Sequence, residues 1–110
     1  MVTDESRSPI SVLVVEDEHN ILNLLSAYLE SAGHRVVTAS DGGEGLKIAL
    51  EVEFDICILD VMLPTKSGIE IAEAMRDSGC NTPILFLTAL GNESDILSGF
   101  GAGADDYIVK

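Results

Sequence analysis

Residues 56–64 read ICILDVMLP. Ile56 to Leu59 is an unbroken apolar run. A strand that faces water on one side alternates apolar and polar residues, whereas a strand buried on both faces does not. The run stops at a single carboxylate, Asp60, and Val61, Met62, Leu63 and Pro64 follow. A doubly buried strand that delivers one acid at its C-terminal end is the unit from which the rest of the chain is read.

The same unit recurs. Ser11 to Val15 (SVLVV) is apolar after its first residue and ends in Glu16-Asp17-Glu18. Ile21, Leu24, Leu25, Tyr28 and Leu29 then recur at helical spacing, with Gly33 as a stop. Arg35 to Ala39 reads as a second strand and Gly43 to Val52 as a short helix. Asp55 to Leu59 is the third strand, and a helix from Gly68 to Arg76 ends near Gly79. Ile84 to Leu87, behind Pro83, is the fourth strand. Ser94 to Ala102 reads as a weak helix and Tyr107 to Val109 as a fifth strand. Alternating strands and helices imply parallel strands with helices on both faces, and right-handed crossovers leave few topologies. The expected fold is α/β: a doubly wound five-stranded parallel sheet in the order 2-1-3-4-5, a flavodoxin-like arrangement.

A length of 110 residues fits one domain, with residues 1–10 read as a flexible N-terminal tail and 11–110 as the folded unit. Nineteen acidic residues against six basic ones give a net charge of −13. Such a surface repels nucleic acid, because phosphate contacts need clustered Lys and Arg. Direct nucleic-acid binding is therefore not expected. No apolar run is long enough for a membrane span, the first residues lack a signal core, and a cytoplasmic protein is expected. Cys57 and Cys80 show no metal-ligand or redox spacing and read as ordinary thiols.

In a parallel sheet the C-terminal ends of all strands lie on one edge, where ligands of open α/β sheets bind. Glu16, Asp17, Asp60, Thr88 and Lys110 follow the first, third, fourth and fifth strands. Carboxylates gathered in one crevice repel each other. A hard divalent cation offsets that repulsion with oxygen ligands, and Mg²⁺ commonly takes one or two carboxylates together with phosphate oxygens. A metal, a lysine and a hydroxyl around one carboxylate suit phosphoryl transfer onto that carboxylate.

Four stretches in order, VVEDE, ILDVMLPTKSG, FLTAL and GADDYIVK, resemble the receiver domain of two-component response regulators, of the type joined to a winged-helix transcription factor. The resemblance runs from about Ser11 to Lys110. It implies that Asp60 accepts a phosphoryl group from a sensor histidine kinase. It implies a metal site of Glu16, Asp17, Asp60 and the backbone carbonyl of Met62, holding Mg²⁺ or, in its place, Mn²⁺. Thr88 and Lys110 would hold the phosphoryl oxygens, with Asp60 as the acceptor. Thr88 and Tyr107 would form the switch, together with the 94–102 helix. It further implies dimerisation through the face of the fourth helix, fifth strand and fifth helix, and contact with DNA through a downstream effector domain. The family continues past Lys110 into a fifth helix. Without it, one face of strands 3 to 5 is expected to lie open, and the chain to be less stable than a longer one.

Each residue also has a plainer explanation. Asp60 as a helix cap fits poorly, since the next helix starts near Gly68. Glu16 and Asp17 are not needed as caps while Asn20 is available. Glu18 and His19 read as exposed, His34 as an inert turn residue, and Lys66 and Ser67 as a loop tip. Pro64 and Gly68 are expected to shape the loop through a fixed and an unusual φ. Thr88 carries weight only through its register with Asp60, and a buried ring is the plain alternative for Tyr107. The resemblance also implies that the positions two places after Asp60 and Thr88 flank the phosphoryl group; here they are Met62 and Leu90, apolar and unable to orient water, so slow loss of the phosphoryl group is expected. Rival functions are a phosphorylation-independent interaction domain, an aspartyl-phosphate phosphatase and a flavin module. The phosphatase needs an acid where Met62 stands, and the flavin module needs a Ser/Thr/Gly-rich loop where Glu16-Asp17-Glu18 stands. No turnover of outside substrates is expected.

Overall fold

The computed structural model describes residues 9–88, Gly101 and 105–109. The elements are β1 (Ser11–Val15), α1 (His19–Ser31), β2 (Arg35–Ala39), α2 (Gly42–Glu51), β3 (Ile56–Asp60), α3 (Gly68–Asp77), β4 (Ile84–Thr88) and β5 (Asp106–Val109). The five strands pair in parallel in one sheet of order β2-β1-β3-β4-β5. This is the expected topology. The weak helix expected over Ser94 to Ala102 lies outside the described residues, apart from Gly101.

Alternation along the doubly buried strands divides the core in two. Leu13, Val15, Cys57, Leu59, Ile84 and Phe86 point to one face, where Ala49 of α2 and Ile71, Ala72 and Met75 of α3 meet them. Val12, Val14, Ile58 and Leu87 point to the other, against Leu22 of α1 with Ile21, Leu25 and Leu29 beside it. Burying both faces is what demanded the continuous apolar runs. β2 is an edge strand, and it is mostly exposed apart from Ala39.

Helix boundaries follow local chemistry. Gly33 (φ 95) and Gly79 (φ 87) take the left-handed turn behind α1 and α3. α3 begins with a capping box: the Ser67 hydroxyl accepts from the Glu70 N–H, and the Glu70 carboxylate accepts from the Ser67 N–H. Ser67 is therefore a helix cap and not the loop tip expected from sequence; Lys66 is the exposed one. α1 lacks such a cap. Its N-cap is Glu18, whose side chain makes no capping bond, and Asn20 sits inside the first turn.

At the N-terminal edge of the sheet Arg76 binds the chain entering β4. Its Nη1 donates to the carbonyls of Cys80 and Thr82 at 2.9 Å each, and its Nη2 lies 3.6 Å from the Asp105 carboxylate. Asp105 in turn accepts from the Ile84 N–H at 2.9 Å. These bonds fix where β4 starts, and so where it ends.

Candidate phosphoryl-acceptor site

Strand register places the site. Val15 is level with Leu59, and Asp60 with Leu87. One residue further on, the Glu16 N–H donates to the Ala39 carbonyl and the Val61 N–H to the Leu87 carbonyl, both at 3.0 Å. The ladder thus holds the backbone just past β1 and β3. Glu16 comes to lie beside Asp60, on the two sides of the point where strand order reverses. Ligands of open α/β sheets collect there.

Glu16 and Asp60 are 0% and 2% exposed, rare values for acids, while Asp17 is exposed. One carboxylate oxygen of each of the three lies within 4.8 Å of the others. Two of these acids are oriented by nearby backbone. The Glu18 N–H donates to Glu16 Oε2 at 2.9 Å, and the Met62 N–H to Asp60 Oδ1 at 3.2 Å. Three anionic oxygen donors at this separation repel. That donor set fits a hard, oxygen-seeking divalent cation. Among the described residues no other group of three Asp, Glu, His or Cys side chains converges in this way.

The other expected residues divide. Thr88 closes β4 at 1% exposure, one step past the residue level with Asp60. Tyr107 stands on β5 level with Phe86 and is 38% exposed. Met62 turns its side chain outward, 66% exposed, while its own N–H touches Asp60. Lys110 and Leu90 lie outside the described residues. His19 is exposed at the start of α1, and His34 Nδ1 accepts from the Ile10 N–H at 3.2 Å. Burial pushes the Cys57 thiol up to about 12, with Cys80 adding to the rise. Cys57, buried in the core, is therefore held as the thiol.

The loop after Asp60 departs from expectation in where its unusual φ lies. Val61 is buried and Leu63 packs beside it. Gly68 needs its lack of a side chain for close approach, since a Cβ there would run into the Asp60 carbonyl oxygen. The unusual φ belongs instead to Thr65, at 66°, the one positive-φ residue other than glycine among those described. Nothing in the sequence pattern marks Thr65. Ser67-x-x-Glu70 is a readable capping signal, and Asp41, three residues before Glu44, is another.

A parallel α/β protein with buried acids on both sides of its switch point belongs to the doubly wound class whose ligands collect at the strand ends, and its donor set fits a divalent cation. Comparison with known proteins narrows the class. Residues 12–110 match the response regulator receiver domain family. The chain is 48% identical over 99 residues to the alkaline phosphatase synthesis transcriptional regulatory protein PhoP of Bacillus subtilis, covering 90% of this chain and 41% of that protein. It spans well under half the length of the curated relatives it matches. Among solved structures it resembles the chemotaxis response regulator CheY4 of Vibrio cholerae, with a TM-score of 0.87 and 36% identity over 94% of this chain and 88% of that one. It also resembles the response regulator TrrA of Thermotoga maritima in complex with Mg(2+)-BeF, with a TM-score of 0.81 and 39% identity over 91% and 85%. This chain belongs to the response regulator receiver domain family.

Proposed function

We propose that the domain is a phosphorylation-operated switch in which Asp60 takes a phosphoryl group from a phosphohistidine of a sensor histidine kinase. A carboxylate oxygen of Asp60 forms the new bond to phosphorus. The bond from phosphorus to the imidazole nitrogen breaks, and that nitrogen keeps the electron pair. The observation that carries this is the convergence of Glu16, Asp17 and Asp60 within 4.8 Å, in a chain of the receiver family.

Glu16, Asp17, Asp60 and the Met62 carbonyl are the groups that would hold Mg²⁺, with Mn²⁺ as a substitute. When bound, the ion neutralises charge on the acids and on the phosphoryl oxygens. The exposed Asp17 suits a direct ligand. Glu16, with Oε2 engaged by the Glu18 N–H, suits contact through water. The Thr88 hydroxyl and the Lys110 ammonium would hold phosphoryl oxygens, and Tyr107 would shift as the new charge arrives. That the related TrrA was solved with Mg(2+)-BeF supports the same chemistry here.

The phosphorylated face acts on an output outside this domain. The relatives' names support a transcriptional one. The charge of −13 puts any DNA contact on another domain. A chain without a long apolar helix among its described residues suits a cytoplasmic place. An aspartyl-phosphate phosphatase is disfavoured because an exposed thioether, Met62, stands where its second acid is needed. Incubation with acetyl phosphate tests the proposal. Wild type is expected to take up phosphate only with Mg²⁺, and Asp60→Asn to take up none. Equal uptake by both chains would remove Asp60 from its role.

A further inference from the structure

The loop from Val61 to Ser67 links Asp60 to α3, and its tip is tied to α2. The Gly42 N–H donates to the Pro64 carbonyl at 3.0 Å. The Gly43 N–H donates to Thr65 Oγ1 at 2.8 Å, and Thr65 Oγ1 donates to Asp41 Oδ1 at 3.1 Å. Asp41 Oδ1 also accepts from the Glu44 N–H at 2.9 Å, which caps α2. A Cβ on Gly42 would collide with the Lys66 carbonyl oxygen. The start of α2 therefore lies directly against the loop backbone. The Lys66 N–H also donates to the Pro64 carbonyl, at 2.8 Å, closing the tip on itself.

The other end of the loop is also fixed. The Gly68 N–H donates to the Val61 carbonyl at 3.0 Å, and Gly68 abuts the Asp60 carbonyl. Between these two anchors lies Met62, whose N–H touches Asp60 Oδ1. A shift of the tip is carried to Met62 through only two residues. At the tip a β-branched residue holds φ 66, a conformation that such residues rarely adopt. A structure that only needed a turn would be served better by glycine. What glycine lacks is the hydroxyl that joins Gly43 to Asp41.

We propose that Thr65 is a positioning residue for the acceptor site: its hydroxyl latches the loop after Asp60 to the capped start of α2 and so sets the backbone around Met62 that the cation and the phosphoryl group meet. The proposal rests on Asp60 being the phosphoryl acceptor. It adds α2, which contributes no ligand, to the parts that build the site. It also separates the backbone cost of Thr65 from its use. The cost lies in φ, while the use lies in Oγ1.

The separation makes the test. Thr65→Gly relieves φ and loses the hydroxyl. Thr65→Val loses the hydroxyl and keeps the strain, and Thr65→Ser keeps the hydroxyl. In the whole 110-residue chain, Mg²⁺ affinity is measured by calorimetric titration with Mg²⁺ alone, the uptake rate with acetyl phosphate, and stability by urea unfolding. Thr65→Gly and Thr65→Val are both expected to weaken Mg²⁺ binding about tenfold, the low end of what losing a group that orients metal ligands costs, and to slow uptake. Thr65→Ser should restore both. The decisive chain is Thr65→Gly, which should unfold at least as late as Thr65→Val and still bind poorly. If affinity and uptake instead follow stability across the three variants, or match wild type in all, Thr65 does not position the site. Wild type that takes up phosphate only with Mg²⁺ while the variants match it overturns the latch alone. Wild type that fails to take it up overturns the acceptor role of Asp60 and the latch with it.

Discussion

Asp60 is fixed more tightly than an acid at the end of a strand needs to be. It closes β3, pairs beside Leu87, accepts from the Met62 N–H and is buried with Glu16 against it. Two other carboxylates stand within 4.8 Å. At that separation and an effective dielectric of about 20, a repulsion is of the order of 3–4 kcal/mol before water screens it, as it does at the exposed Asp17. Removing the charge at position 60 should therefore stabilise the metal-free chain. Asp60→Asn is expected to raise the urea midpoint without Mg²⁺ by the equivalent of about 1–3 kcal/mol. Added Mg²⁺ should stabilise wild type more than the variant, since a ligand stabilises the state that binds it. A less stable Asp60→Asn in metal-free buffer would mean that repulsion does not dominate the site. The acid itself was legible, because a carboxylate that ends an apolar run stands out. Thr65 was not, because its role depends on α2 reaching a loop that is distant in sequence, and one-dimensional pattern carries no sign of that approach.

At the scale of the element, α2 offers the clearest titration. The Glu44 N–H donating to Asp41 holds its carboxyl below the usual 3.8, with the Thr65 hydroxyl and the Gly43 N–H helping and burial opposing. The folded value is thus below the unfolded one. Such a group contributes stability that is fully present above 3.8 and is lost as the pH falls through the folded value. Asparagine caps helices about as well as aspartate but carries no charge. Wild type should therefore be more stable than Asp41→Asn near neutral pH, and the gap should close as the pH drops below 3.8. A gap that widens towards acid would reverse the sign. Strand positions were largely readable because burial on both faces writes itself as apolar runs. β3 and β4 each extend one residue further than their apolar runs, taking in Asp60 and Thr88. Helix starts were less readable. Asp41 and Ser67 both cap, yet the eye follows apolar period, and the capping residues lie outside that period. α1, with Glu18 in the cap position and no side-chain capping bond, shows that a start need not carry a capping signal.

Across the whole molecule, charge and topology act together. The chain carries a net charge of −13, but among the described residues only the switch point between β1 and β3 brings three carboxylates onto one spot. The topology was legible because alternation and handedness leave few choices. The convergence was legible only once strand order was fixed, since Glu16 and Asp60 are far apart in sequence. A groove at the opposite edge, between the loops that carry Asp55 and Asn81, gathers no comparable set among the described residues. The most direct measurement locates the phosphoryl group itself. After labelling with acetyl phosphate and Mg²⁺, borohydride reduces an aspartyl phosphate to homoserine, which peptide mass mapping then finds. Homoserine at position 60 and at no other aspartate is the predicted result; homoserine at Asp17, or labelled protein with none at position 60, would contradict the account.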